Sequence, residues 1–342
     1  MPHPFLHALP FENAFLTAER QIVEYVDILI EPRATNHKSR IMTRLLFGCL
    51  VFVFPVVAAV AEDAVPVENP SDFFRVVRKE DKRQPYSFDT AVVRFTDAKK
   101  KIEVDLIGAV HVGDKEYYEE LNERFKVYDS VLYELVAETG TKVDKKAVEE
   151  KKKKNVLTGF QSGMGEALDL EFQLAHVDYA APNFVHADLS PEKFAERVAE
   201  RGDLLQMLYR VLVLGLSKGT EGADAEMKTQ GRILGTLFSS NPPLSLKRFF
   251  AKEMLAQMDD SMWVIGGDDG SAIITDRNAA ALNVLRKRMA RGDKKIAIFY
   301  GGAHLPEFAK SLKKDFRMMP TQTTWVIAWD LTSDRSARKN DD

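Results

Sequence analysis

The chain has 342 residues, 45% hydrophobic and 29% charged, which is typical of a globular protein with an apolar core. That length holds two average domains, or one α/β domain with an insertion. A formal net charge of −3 argues against a nucleic-acid partner bound by bulk electrostatics. The single cysteine, Cys49, excludes an intrachain disulfide, a multi-cysteine zinc site and an iron–sulfur cluster.

The first element along the chain is an apolar run over 45–61 that follows Arg44 and ends in a small-x-small pattern. These three features together are typical of a cleavable export signal. Because Met42 lies just before the basic residue, we interpret 42–61 as a signal peptide and 1–41 as an N-terminal extension from a start codon assigned too early. An uncleaved membrane anchor is the alternative, since the run approaches spanning length. Both interpretations predict an exported protein, periplasmic or secreted, that meets a membrane only through this leader.

One folded domain is predicted over 90–332, after a polar linker and lead-in segment at 62–89 and before a disordered tail at 333–342. Within it, the pattern is helical throughout 191–262, which indicates a helical insertion. Burial of this insertion is favoured, and a lid that grips substrate or touches a membrane is the alternative.

The early elements alternate between strand and helix, which predicts an α/β fold. A hairpin is expected from strands at 91–95 and 102–107, and a second core strand at 130–136. Between them, a helix over 114–126 is expected, with Asp114 as its N-cap.

Two matched motifs stand at the ends of apolar strands. The first strand ends in Gly-Ala-Val-His, where Gly108 permits a positive φ or a close backbone approach and His111 follows the strand. Open α/β sheets bind their ligands at such carboxyl ends. The second copy, Gly-Gly-Ala-His, runs from Gly301 to His304, and Pro306 suits the first turn of a following helix. The pair predicts an internal duplication whose halves meet at one site.

Further candidates lie between the two motifs. Glu134 interrupts an apolar strand, and a buried carboxylate needs a partner or a metal. An edge position facing water is the alternative. A strand over 183–189 puts His186 and Asp188 on one side, next to the start of a helix, which makes them second-tier site candidates. His176 is interpreted as structural.

A long helix is predicted to open with Asp276, Arg277 and Asn278 and to end near Arg291. The second histidine strand follows it directly. A last apolar strand is expected at 324–329.

These motifs resemble the TraB/Tiki superfamily, also called the TraB/GumN or PrgY group. The resemblance rests on Gly-Ala-Val-His at 108–111, Tyr-Glu-Leu at 133–135 and Gly-Gly-Ala-His-Leu-Pro at 301–306, and it extends over 90–330. It implies a mixed central sheet flanked by helices, with two pseudo-repeated halves, as in the Tiki, ChaN and erythromycin-esterase-like folds. It also implies a divalent-metal site built from both halves, and Tiki members are metal-dependent proteases.

The resemblance implies that the metal is held by His111, Glu134 and His304, with Asp276, Arg277 and Asn278 as polar support nearby. Gly108, Gly301, Asp188 and His186 complete the supporting set. Two imidazoles and a carboxylate suit Mn, Co, Zn or Fe(II) rather than Ca. For Arg277 two roles stay open: binding an oxyanion or a substrate carboxylate, and a salt bridge at the helix start.

Other hydrolase and nucleotide signatures are absent from the sequence: no His-Glu-x-x-His helix, no Gly-x-Ser-x-Gly elbow, no P-loop and no dinucleotide fingerprint. The sequence therefore predicts an exported metal-dependent hydrolase, a peptidase or amidase that acts on a peptide or small amide. The alternative is a non-catalytic regulatory protein that binds haem, a metal or a peptide through the same histidines.

If the leader is cleaved after the small-x-small pattern, mass spectrometry of the mature protein should find its N-terminus near Glu62. An intact leader recovered in a membrane fraction would instead establish the anchored form.

Overall fold

The computed structural model describes residues 68–332 except 79–84, 100, 139–140, 142–167, 169, 204, 211–231, 233–234, 237 and 267–269. The described residues all belong to one unit, Val60–Asp341. The predicted leader, its extension and the tail lie outside them. So does the central part of the predicted helical insertion, 211–231.

Strands in the described part of the chain follow the apolar and alternating stretches of the sequence. They are β1 (Phe74–Arg78), β2 (Pro85–Asp97), β3 (Glu103–Ala109), β4 (Val112–Gly113), β5 (Ser130–Tyr133), β6 (Glu171–Phe172), β7 (Phe184–His186), β8 (Lys295–Gly301) and β9 (Met318–Asp330).

Helices occupy the stretches between them. They are α1 (Lys115–Phe125), the single turn α2 (Gln173–His176), α3 (Pro191–Arg201), α4 (Pro242–Gly266), α5 (Arg277–Ala290) and α6 (Leu305–Lys314). A π-helical turn, Ala272–Asp276, leads into α5, and a 3₁₀ turn, Gly302–His304, leads into α6. A further 3₁₀ turn, Pro70–Phe73, precedes β1.

The main sheet is mixed, as the sequence predicted. β3, β8, β5 and β7 are neighbours in that order and all parallel. The long strand β2 is antiparallel to its partners: β9 covers one edge, while β1 and β3 share the other. β4 and β6 form a separate two-stranded sheet.

The parallel strands lie at the centre of the core. β3, β5 and β8 are buried along almost their whole length, as expected when helices cover both faces of a parallel sheet. α6 contacts β3 and β9, α1 contacts β9, and α5 contacts β5. The largest fully buried side chains include Tyr117, Tyr118, Phe125, Phe299 and Phe308.

The predicted hairpin is confirmed, with Val92 opposite Ile107 in the β2–β3 register. Three boundaries differ from prediction. The sheet begins at Phe74, inside the stretch assigned to linker and lead-in, β9 extends well before the apolar run 324–329, and β5 ends at Tyr133. β5 is an interior strand between β8 and β7, so the alternative of a water-facing edge strand is wrong.

The helix predictions are largely confirmed. Ser190 caps α3 by accepting a hydrogen bond from Lys193 N, and Pro306 lies in the first turn of α6. After α5, Gly292 has a φ of +102°, a conformation that favours glycine. α4 continues past residue 262, where the helical insertion was predicted to end.

Asp114 stands at the N-cap position of α1, but its side chain makes no capping hydrogen bond. It instead forms a buried ion pair with Lys247 of α4, with 2.6 Å between Oδ1 and Nζ. Its Oδ2 accepts a hydrogen bond from Asp330 N at the end of β9. One carboxylate thus joins α1, α4 and β9.

Among the described residues, no helix combines the length and the apolar character needed to cross a membrane.

The Lys247–Asp114 pair leads to a stability prediction. Lys247→Met should lower the free energy of unfolding by about 3–5 kcal/mol, because it leaves a buried carboxylate without its cation. Lys115→Met is the matched control: Lys115 pairs with Glu119 on the exposed face of α1, so its loss should change the free energy of unfolding far less. Urea unfolding of both variants measures the difference, and equal effects would contradict the prediction. Adding Asp114→Asn to Lys247→Met should recover part of the loss.

Candidate metal centre

The sheet brings both motifs to one edge. β3 and β8 are adjacent and parallel, with Gly108 opposite Tyr300 and Ala109 opposite Gly301. Their carboxyl ends therefore lie side by side. His111 comes shortly after the end of β3, and His304 shortly after the end of β8. The two motifs are out of step by one residue in the register, because Gly108 pairs with Tyr300 rather than with Gly301.

Glu134 directly follows β5 at the same edge, and its backbone N–H donates to Phe299 O. Its carboxylate accepts two hydrogen bonds, from Gly301 N to Oε2 and from Arg277 Nη2 to Oε1, both at 2.7 Å. A Cβ at Gly301 would lie 3.3 Å from Oε2, so the glycine allows the carboxylate to approach the backbone closely.

Glu134 is held in its ionised form. Burial is the largest single effect on its carboxyl group and would raise the pKa, but it is outweighed by several opposing effects together, of which the charge of Arg277 is the largest. His304, His111 and the Gly301 N–H act in the same direction, so the pKa lies well below its usual range.

Arg277 at the start of α5 is shared between two carboxylates. Its Nε and Nη2 bind Asp188 at 2.9 and 2.6 Å, and the same Nη2 binds Glu134. The Asp188 side chain is fully buried, and 9% of the Arg277 side chain is exposed. Two carboxylates against one guanidinium leave an excess of one negative charge at this edge of the sheet.

His304 is buried with one tautomer favoured by its surroundings. Asn278 Nδ2 donates to His304 O and to Glu307 Oε2, so Asn278 Oδ1 faces the imidazole and accepts from Nδ1–H at 2.6 Å. Nε2 is then unprotonated and lies 3.6 Å from Glu134 Oε1. Burial lowers the pKa of His304 to about 4, against the opposing effect of Glu134, so the ring is neutral at physiological pH.

His111 is exposed, in the bend between β3 and β4, and it has an equivalent partner. Gln173 Nε2 donates to Tyr179 OH, which turns Gln173 Oε1 toward His111 Nδ1 at 3.2 Å. Gln173 N also donates to His111 O. A side-chain amide therefore orients each of the two motif histidines through Nδ1 and leaves Nε2 available.

The three predicted ligands share one electrostatic environment, since His111 and His304 both act on the pKa of Glu134 and His111 also acts on that of His304. They do not form a closed cage. Within the part of the chain that the structure describes, no three His, Cys, Asp or Glu side chains form a group that could hold an ion as they stand.

Several supporting residues lie elsewhere than the sequence suggested. Asp276 faces Arg201 of α3 in a two-point ion pair at 2.7 and 2.8 Å. His186 Nε2 forms a hydrogen bond with Leu135 O, so this side chain stabilises the backbone that follows β5. Gly108 has no positive φ, and an added Cβ would make only ordinary contact with Leu305, at 3.4 Å. His176 pairs with Glu171, in line with a structural role.

The second glycine of the second motif has a packing role. A Cβ on Gly302 would overlap the ring of Phe74, which is buried at the start of β1 and stacks on Phe88. The Phe74 ring therefore leaves room only for glycine at position 302.

Sequence reasoning missed Gln173, the partner of His111, and Tyr300, whose hydroxyl donates to Ala187 O beside Asp188. Gln173 lies in an ordinary helical pattern, and Tyr300 continues an apolar strand, so neither carries a local signal. The pairing of β4 with β6 brings Gln173 to the histidine.

Comparisons of this chain with protein-family models, with curated proteins and with solved structures find no match.

The depressed pKa of His304 predicts a pH dependence of stability. Its ordinary value is 6.5 and its folded value is about 4, so the unfolded chain binds the extra proton between these pH values. The free energy of unfolding should therefore fall by up to about 3 kcal/mol as pH drops through this window. His304→Asn keeps a donor toward Asn278 and cannot titrate. Plots of the free energy of unfolding against pH should be steeper for wild type than for His304→Asn across this window. Parallel plots would contradict a buried neutral histidine.

Proposed function

We propose that the protein is an exported metal-dependent hydrolase of peptide or amide bonds, with a divalent cation held by His111, Glu134 and His304. The observation that carries the proposal is the pair of amide-oriented histidines beside an ionised, buried carboxylate. Metal-binding histidines commonly have such a partner on the other ring nitrogen, because it fixes both the tautomer and the direction of the ring.

Electrostatics favours a cation at this place. The unprotonated Nε2 of His304 lies 3.6 Å from Glu134 Oε1, so two electron-rich atoms are near each other without a proton between them. The same carboxylate belongs to a group with one excess negative charge. Buried charge of this kind is costly unless it is paired. A bound cation would offset both effects.

The donor set fits a borderline metal. Two imidazole nitrogens and one carboxylate oxygen suit Mn, Co, Zn or Fe(II) and leave positions for water or substrate. Glu134 still has lone pairs for an ion, since each of its oxygens accepts one hydrogen bond, from Gly301 N and from Arg277. The support therefore comes from the chemistry of the donors rather than from a ready-made cage.

The roles of the chain's own residues follow from their contacts. Arg277 keeps Glu134 ionised and fixes its direction, and its guanidinium is engaged by two carboxylates, which favours the salt-bridge role over oxyanion binding. Asn278 and Gln173 orient the imidazoles. A divalent cation, when bound, polarises a carbonyl and lowers the pKa of a bound water. His111 is exposed, so a peptide or small amide would approach from its side.

The TraB/Tiki relationship and the pseudo-repeated halves belong to this proposal. Their support is the parallel pairing of β3 with β8, each of which ends in one of the two motifs. Export is supported by the leader pattern over 42–61.

Metal titration of purified variants tests the site directly. His111→Ala, His304→Ala and Glu134→Gln should each abolish metal binding and hydrolysis, because each removes one donor. His176→Ala is the matched control: it removes a histidine that pairs with Glu171, and it should keep metal and activity. Wild-type metal affinity in Glu134→Gln would remove that residue from the site.

The orienting amides give a graded version of the same test. Asn278→Ala and Gln173→Ala retain every proposed ligand, so they should weaken metal affinity by about 10–100-fold rather than abolish it. Metal content and peptidase activity should be measured on the same sample. Stoichiometric metal without turnover would favour the binding protein over the hydrolase, and no metal in any sample would reject both metal roles.

A further inference from the structure

A cavity lined by charged residues lies outside the candidate metal centre. It has a volume of about 310 Å³ and opens between the first half of α4 and the residues Arg232, Gly235, Thr236 and Ser239. Its lining combines three cations, hydroxyl groups and one aromatic ring: Arg232, Arg248, Lys252, Ser239, Ser245 and Phe249. None of these residues takes part in the candidate metal centre.

The cations of the cavity are only partly paired. Arg232 binds Glu253 Oε1 at 2.9 Å and lies over the Phe249 ring, and Arg248 Nε donates to Leu331 O. The ammonium group of Lys252 has no hydrogen-bond or ion-pair partner among the described residues, although the side chain is half-buried.

The charges repel one another. Burial lowers the pKa of Lys252, and the charges of Arg78, Arg232 and Arg248 lower it further. In the unliganded protein this arrangement is unfavourable, because like charges in a partly desolvated place raise each other's energy. Like charges around an open cavity, with a lowered lysine pKa among them, are typical of a site whose ligand supplies the missing counter-charge.

We propose that this cavity binds the phosphate group of a small phosphorylated compound. Guanidinium and ammonium donors together with hydroxyls match a dianionic, tetrahedral oxyanion with several acceptor atoms. A carboxylate would neutralise less of the charge. The cavity is also larger than a lone phosphate requires and reaches the size of small-molecule pockets, so the organic part of the ligand lies against Phe249.

Calorimetric titration of the full chain tests the proposal with three soluble probes: inorganic phosphate, glycerol 3-phosphate and glycerol. Wild type should bind both phosphates saturably, glycerol 3-phosphate more tightly, and glycerol not at all. Lys252→Met should weaken phosphate binding at least tenfold, whereas Lys252→Arg should retain it. Lys314→Met, at an exposed position in the last turn of α6, should behave as wild type.

Thermal unfolding separates a ligand-binding lysine from a structural one. Because Lys252→Met removes a repelling charge, the melting temperature of the unliganded variant should equal that of wild type or exceed it by roughly 1–3 °C.

Vesicles of phosphatidylcholine with and without phosphatidic acid distinguish the source of the phosphate. Binding to phosphatidic acid vesicles without binding of glycerol 3-phosphate assigns a lipid headgroup, and the reverse assigns a soluble metabolite. Absence of saturable binding to every phosphate probe, or equal affinity in wild type and Lys252→Met, overturns the proposal.

Discussion

The guanidinium of Arg277, shared by Glu134 and Asp188, is the interaction on which the sheet edge depends. It joins the segments after β5 and β7 to the first turn of α5, three parts of the chain that no local pattern connects. Buried ion groups of this kind contribute little net stability, because removing the charges from water costs about as much as their attraction returns. Their contribution is to geometry: with Arg277 in place, Glu134 has one direction and one protonation state.

The local part of this arrangement could be predicted from sequence. Apolar strands that end in Gly-x-x-His indicated both histidines. The parallel pairing of β3 with β8 places the carboxyl ends of these two strands side by side. The sequence indicated Glu134 because a buried carboxylate in an apolar strand needs a partner or a metal. The amide behind His111 could not be found, since Gln173 reaches it only through the pairing of β4 with β6. The length of β9 was missed for a related reason: its first half alternates between exposed and less exposed residues, and its pairing with β2 rather than its hydrophobicity makes it a strand.

Two places in one domain carry opposite uncompensated charge. The sheet edge has one more carboxylate than cations, and the cavity beside α4 has cations that repel each other around Lys252. α4, which carries Arg248 and Lys252, is fixed to α1 and β9 through Lys247 and Asp114.

The overlap that a Cβ on Gly302 would make with the Phe74 ring has an evolutionary consequence. The glycine is required by an aromatic neighbour more than two hundred positions earlier in the chain, not by the ion chemistry of His304. In relatives with a small side chain in place of Phe74, the constraint on this glycine disappears and alanine becomes acceptable there. The two positions should therefore vary together across relatives, and a search pattern that insists on both glycines selects for a packing partner as much as for a metal ligand.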